Sequence, residues 1–211
     1  MTKASHPPFT TVHIIDDDLR IRTSLVDFFA SIGLLATAYA RASDFMEQAD
    51  LSGPGCVILD VRMPGMTGLE LQEKLSALEC PLPIIFMTGD ASVEASVLAM
   101  KAGAFDFILK PLELETLAER TGFALSRNAE MRSKYLARFR AQSVVDTLTP
   151  RESEVFALVS KGLPNKAIAR EMNISEIMVK LHRSRMMKKL QARSIVDVVR
   201  TFDEINTAQA N

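Results

Sequence analysis

The chain is poor in the residues that build metal and disulfide sites. It has two cysteines, Cys56 and Cys80, that do not form a close pair, and three scattered histidines, His6, His13 and His182. Neither a zinc cluster nor a structural disulfide is expected from that distribution. No uninterrupted apolar run approaches the roughly eighteen residues that cross a bilayer, and the stretch Met1-Thr2-Lys3-Ala4-Ser5-His6-Pro7-Pro8 lacks the apolar core of a secretory signal. A cytoplasmic protein without membrane association is the expectation. Also absent is a Gly-x-Gly-x-x-Gly turn after the first apolar run, where Asp16, Asp17 and Asp18 stand instead, and this argues against a dinucleotide-dependent enzyme.

What is present fits two compact units. The 211 residues exceed the usual size of one domain, and 47% hydrophobic with 24% charged residues is an ordinary globular composition. The formal charge of -1 conceals an asymmetry. Residues 1–147 hold 14 Lys+Arg against 19 Asp+Glu, net -5, whereas 148–211 hold 11 against 7, net +4. An acidic half joined to a basic half points to separate tasks, with nucleic acid the partner suited to the basic one.

Between about Val12 and Lys110, short apolar runs alternate with helix-period segments. The runs are Val12-His13-Ile14-Ile15, Leu35-Ala36-Thr37-Ala38-Tyr39, Cys56-Val57-Ile58-Leu59, Ile84-Ile85-Phe86-Met87 and Phe105-Asp106-Phe107-Ile108-Leu109. In the first intervening segment Ile21, Leu25, Phe28, Phe29 and Ile32 share one helical face. The pattern predicts an α/β doubly wound, five-stranded parallel sheet covered on both sides, followed by a small all-α domain. From about Glu113 into the 140s the chain reads as a last helix continuing into a helical linker, weakened at Gly122. Thr149-Pro150-Arg151-Glu152 is a capping box with proline at the first helical position and opens the second unit. Helical patterns then run to about Glu204, broken at Gly162 and at Asn173-Ile174-Ser175.

In such a sheet, functional groups gather at the carboxyl ends of the strands. Here those ends carry Asp16-Asp17-Asp18, Asp60, Thr88 and Lys110. Converging carboxylates suit Mg²⁺, a carboxylate can attack phosphorus, and a lysine and a hydroxyl can hold the transferred oxygens. Taken singly, each has an ordinary explanation. An acidic run before a helix is more often a cap, and Lys-Pro after a strand is mostly a turn. Their joint placement favours the chemical reading. A phosphatase that forms an aspartyl phosphate would want a second acid two residues after the nucleophile, where this chain has Arg62.

These motifs, in order, resemble the receiver domains of two-component response regulators: Ile14-Ile15-Asp16-Asp17-Asp18, Leu59-Asp60 through Gly68, Met87-Thr88-Gly89, Met100-Lys101-Ala102-Gly103-Ala104 and Lys110-Pro111. The resemblance implies a flavodoxin-like fold of strand order 2-1-3-4-5 and a phosphoacceptor at Asp60. It further implies Mg²⁺ held by Asp17 with Asp16, Asp60 and the backbone carbonyl of Arg62, phosphate contacts from Thr88 and Lys110, an aromatic switch at Phe107, and a cis peptide before Pro111. Asp90, near the pocket mouth, departs from the pattern and is expected to slow phosphodonor entry or alter the lifetime of the phosphate.

In the basic half, Asn165 to Ser184 reads as a helix-turn-helix. Ala167, Ile168 and Met172 are available for packing on the first helix, and Ser175 caps the second. That second helix is expected to bury Ile177, Val179, Met186 and Leu190 and to offer Lys180, Arg183, Arg185, Lys188 and Lys189. Charge and periodicity alone would equally fit a helical bundle whose basic face contacts proteins. The stretches Leu148 to Glu152, Gly162 to Ala169 and Val179-Lys180-Leu181-His182-Arg183 resemble the LuxR-type helix-turn-helix. This implies that Lys180, Leu181 and Ser184 face base edges, with His182, Arg183, Arg185 and Lys188 beside them on promoter DNA. Met178 departs from the threonine usual there. The combination resembles the FixJ/NarL group. It implies a receiver over 10–125, a linker over 126–146, a DNA-binding domain over 147–208, a partner histidine kinase, and a homodimer on phosphorylation. The expected response passes through the face formed by the helix before the fifth strand, that strand, and the helix after it. A regulator that works on protein partners or without phosphate stays open at this point.

Overall fold

In the computed structural model, residues 10–89, 97 and 99–206 are described. The expectation for Asp90 lies outside them. The chain divides into two units, Met1–Arg132 and Ser133–Asn211.

The first unit is built on strands β1 (Thr11–Ile15), β2 (Leu35–Tyr39), β3 (Gly55–Asp60), β4 (Ile84–Thr88) and β5 (Asp106–Leu109), with helices α1 (Leu19–Ser31), α2 (Ala42–Gln48), α3 (Gly68–Ala77) and, up to Arg132, the long α4 (Leu114–Val145). Every strand pair is parallel, as the alternating pattern predicted, and the order β2-β1-β3-β4-β5 is the one the resemblance implied. The central strand β3 is buried at all six positions. Its side chains alternate between two layers because successive strand residues point to opposite faces. Val57 and Leu59 join Ile15, Phe86, Leu71 and Leu75 on one side. Cys56 and Ile58 join Val12, Ile14, Ile85 and Met87 on the other, where Leu25 and Phe29 of α1 and Leu117 and Leu125 of α4 cover them. This two-sided cover is what makes a continuous apolar run, rather than an alternating one, the signature of a central parallel strand. Within the predicted apolar face of α1, Leu25 and Phe29 are buried, while Ile32 is exposed. It sits at the C-cap, past the last turn that faces the sheet.

Helix α4 is tied to the amino-terminal side of the sheet through the buried Asn128. Its side-chain oxygen accepts from Gly55 N at 3.1 Å and its amide donates to Pro81 O at 2.7 Å, so both halves of the amide are satisfied. Gly122 lies inside α4, and a β-carbon there would meet nothing within 4 Å. Gly122→Ala is therefore expected to raise stability by about 1 kcal/mol, seen as a higher thermal midpoint with unchanged secondary structure.

In the second unit, α5 (Pro150–Ser160), α6 (Asn165–Glu171), α7 (Glu176–Lys189) and α8 (Ile195–Asn206) enclose a core of Val155, Phe156, Val159, Ile168, Val179, Met186 and Val198. Thr149 and Glu152 form the expected capping box, with the Thr149 amide donating to the Glu152 carboxylate at 2.9 Å. Gly162, at φ 79°, ends α5, and Asn173, at φ 53°, makes the turn between α6 and α7. Asparagine tolerates this left-handed region better than most residues with a β-carbon.

Candidate functional site

The strands deliver their reactive groups to one end of the sheet. Lys110, directly after β5, reaches back over it, and its Nζ donates to Asp16 Oδ2 at 2.7 Å and to Asp60 Oδ2 at 2.9 Å. Carboxylate oxygens of Asp16, Asp17 and Asp60 lie within 4.8 Å of one another. Asp16 has no exposed surface, Asp60 is buried and Asp17 is exposed. Burial pushes the Asp16 carboxyl above the ordinary aspartate range, outweighing its bond from Lys110. Burial pulls the Lys110 ammonium down, but its bonds to Asp16 and Asp60 carry it upward overall. One cation thus compensates two carboxylates that would otherwise repel each other at close range.

The acidic triplet divides its labour. Asp16 and Asp17 face the cluster, whereas Asp18 caps α1, accepting from Arg20 N at 2.8 Å. Its carboxyl is held down at about 2, chiefly by the Arg20 side chain and then by the Arg20 amide. The ordinary reading of an acidic run before a helix is therefore right for one residue of the three.

Other groups fix Asp60 and its surroundings. The Arg62 amide approaches Asp60 Oδ1 at 3.3 Å, and the Gly68 amide donates to Val61 O at 3.0 Å. A β-carbon at Gly68 would fall 2.3 Å from the Asp60 carbonyl oxygen, so α3 can begin this close to the site with glycine alone. The sequence contained that glycine without disclosing its role, because the approach is made across the fold. Arg22, which sequence reasoning also missed, donates to Asp16 O at 2.7 Å from the first turns of α1. Thr88 is buried at the end of β4, and its carbonyl accepts from Lys110 N at 2.7 Å. Phe107 is half-buried beside Phe86 across the β4–β5 pairing, with ring centroids 6.4 Å apart. The Lys110–Pro111 peptide is cis.

The three clustered donors are all carboxylate oxygens, which suit a hard divalent cation such as Mg²⁺ and not a soft one. Among the described residues no helix is long and apolar enough to cross a membrane.

In the helical unit, α6, the Asn173 turn and α7 form the expected helix-turn-helix, with the Ser175 hydroxyl accepting from Met178 N at 3.3 Å. Lys180, Leu181, Ser184, Arg185 and Lys188 are exposed on α7, as is Met178. Three expectations need correction. Ile177 is 78% exposed rather than buried, because it lies about 200° around the helix from the buried Val179. Lys189 is not offered to solvent as a free cation: its Nζ donates to Glu152 Oε2 at 2.6 Å and to Thr147 O at 2.9 Å. Arg183 is half-buried and donates to Asn165 Oδ1 at 2.7 Å, which links α7 to the start of α6. His182 falls on the packed stripe between Val179 and Met186, and its Nδ1 is enclosed without a hydrogen-bond partner among the described residues.

Comparison with known proteins agrees with this division of the chain. Residues 12–121 match the response regulator receiver domain family, and residues 146–202 match the bacterial regulatory proteins of the luxR family. Nodulation protein W of Bradyrhizobium diazoefficiens is 38% identical over 194 residues, covering 92% of this chain and 86% of that protein. The transcriptional regulatory protein FixJ of Azorhizobium caulinodans is 37% identical, covering 92% of each. Among solved structures, the response regulator StyR superposes with a TM-score of 0.83 at 38% identity, covering 92% of this chain and 98% of that one. With an acidic cluster at the strand ends of one unit and a helix-turn-helix in the other, the chain belongs to the two-component response regulators that join a receiver to a LuxR-type DNA-binding domain.

Proposed function

We propose that Asp60 accepts a phosphoryl group from a partner histidine kinase and that the acyl phosphate controls promoter binding. The observation that carries this reading is the Lys110 ammonium held between Asp16 and Asp60 at 2.7 and 2.9 Å. A carboxylate oxygen of Asp60 attacks phosphorus, the new O–P bond forms as the N–P bond to the kinase histidine breaks, and the histidine leaves as neutral imidazole after taking up a proton. Lys110 then exchanges its bond to Asp60 for one to a phosphoryl oxygen, and the Thr88 hydroxyl donates to another. Asp16, Asp17, Asp60 and the backbone carbonyl of Arg62 would hold Mg²⁺, which when bound offsets the repulsion between these carboxylates and the incoming phosphate. The protein assists its own phosphoryl transfer and is not read as an enzyme acting on a separate substrate.

The turn of Thr88 toward the phosphate leaves room for Phe107 to move against Phe86, altering the face around β5 and favouring a two-fold receiver dimer. Residues 10–125 serve as the receiver, 126–146 as a helical linker, and 147–208 as the DNA-binding domain. Lys180, Leu181 and Ser184 meet base edges, while Arg185 and Lys188 meet phosphates. Arg183 and His182 stand beside these contacts, and Arg183 also holds the geometry of the motif through Asn165. The reading places the protein in the cytoplasm, in reach of both kinase and promoter. A shift from 1:99 to 99:1 between inactive and active forms requires a differential of about 5.5 kcal/mol.

Genome-wide mapping of bound DNA tests the whole scheme. The wild-type chain is expected to occupy promoter sites that Asp60→Asn does not. Equal occupancy by both would remove phosphorylation from the mechanism.

A further inference from the structure

Helix α7 carries an apolar residue where its surroundings give no structural reason for one. Val179 and Met186, seven residues apart, face the core. Ile177, Leu181, Ser184 and Lys188 recur at i, i+4, i+7 and i+11 on the opposite side and are exposed. Ile177 is 78% exposed and Leu181 40% exposed, so an aliphatic pair sits on a face that also carries Lys188 and is flanked by Glu176, Met178, Lys180 and Arg185.

We propose that Ile177 is a specificity-determining residue that packs on the 5-methyl group of a thymine in the major groove, with Leu181 packing on a second thymine. This rests on the reading of α7 as the helix that enters the groove. The cations beside the pair favour a polyanion over an apolar protein surface as the occupant. On a duplex, an aliphatic side chain with no donor or acceptor has one complementary base-edge group, the thymine methyl. Ile177 is the second residue of α7, and the first turn of such a helix is the part that meets base edges. Four residues of helix rise about 6 Å, close to two steps of about 3.4 Å along a DNA strand. The two thymines therefore lie about two base pairs apart, and the remaining exposed residues, Ser184 and Lys188, continue along the groove toward hydroxyl and phosphate contacts.

The test uses the full chain with Mg²⁺ and acetyl phosphate. A preferred duplex is selected from a randomised library, then resynthesised with deoxyuridine at each thymine in turn, which removes the methyl and leaves the base pair intact. With the wild-type chain, two positions about two base pairs apart are expected to lose about fourfold in affinity each, the value of one buried methyl-sized group. Ile177→Ala is expected to be indifferent to deoxyuridine at one of them and still sensitive at the other, with Leu181→Ala showing the converse. Because Ile177 is exposed, its alanine variant is expected to melt with the wild type. Equal deoxyuridine sensitivity in wild type and Ile177→Ala overturns the assignment while leaving DNA binding standing. Failure of the library to yield any preferred duplex overturns the groove reading of α7 and this proposal with it.

Discussion

Asp60→Asn is expected to reduce phosphate incorporation from acetyl phosphate to background, read by intact-mass spectrometry, with the fold retained. The amide keeps the shape of the carboxylate, and its one oxygen can still accept from Lys110, which donates to Oδ2 at 2.9 Å, while its NH2 group takes the position of Oδ1, which the Arg62 amide approaches at 3.3 Å. What it loses is the charged oxygen that attacks phosphorus. Its neighbours separate nucleophile from metal site. Asp17 is exposed and its carboxylate lies within 4.8 Å of those of Asp16 and Asp60, so Asp17→Asn is expected to retain incorporation at a raised Mg²⁺ requirement. Labelling of the Asp60→Asn chain at the wild-type level would move the acceptor elsewhere.

The second large effect is in the DNA-binding unit. Glu152→Ala is expected to lower its stability by about 2 kcal/mol, the combined scale of a lost helix cap and one charge-assisted hydrogen bond from a partly exposed lysine. Glu152 is 3% exposed, receives the Lys189 ammonium at 2.6 Å, and closes the cap on the Thr149 amide at 2.9 Å. Without it, Lys189 keeps only its bond to Thr147 O among these partners, and the tie between α5 and the end of α7 is gone. Amide hydrogen exchange over 150–189 should accelerate about thirtyfold.

The same pair sets an acid dependence. The Lys189 bond, followed by the Thr149 amide, holds the Glu152 carboxyl down at about 2. A carboxylate with a lowered folded pKa stabilises the fold above its unfolded value of about 4.3 and loses that contribution as pH falls toward the folded value. Exchange protection over α5 and α7 should therefore decline between about pH 4.5 and 2 in the wild type. The decline should be shallower in Lys189→Met; an identical profile would remove this ion pair as its cause.

Much of the molecule was legible in the sequence because its signals are local. Apolar runs such as Cys56-Val57-Ile58-Leu59 announce a strand covered on both faces, and Thr149 with Glu152 announces a helix start, since both depend on residues within a few positions. The grouping of Asp16, Asp60 and Lys110 was legible for another reason: a parallel doubly wound sheet brings all its strand ends to one edge. Spacing and periodicity could not divide the three aspartates between cluster and cap, because that depends on where α1 begins relative to the end of β1; only the family resemblance singled out Asp16 and Asp17.

By itself, then, the sequence determined two units, the parallel sheet, the residues available at its carboxyl end, and a basic helix-turn-helix. Tertiary structure alone decided which of those residues face one another and which are already engaged. It placed Gly68 where a β-carbon would strike the Asp60 carbonyl, drew Lys189 to Glu152 and Arg183 to Asn165, and turned Ile177 outward. The physical reason is that hydrophobic periodicity defines a stripe along a helix, whereas the rotation of that stripe is chosen by the partners it packs against. Once Val179 and Met186 took the core, Ile177 had to face solvent.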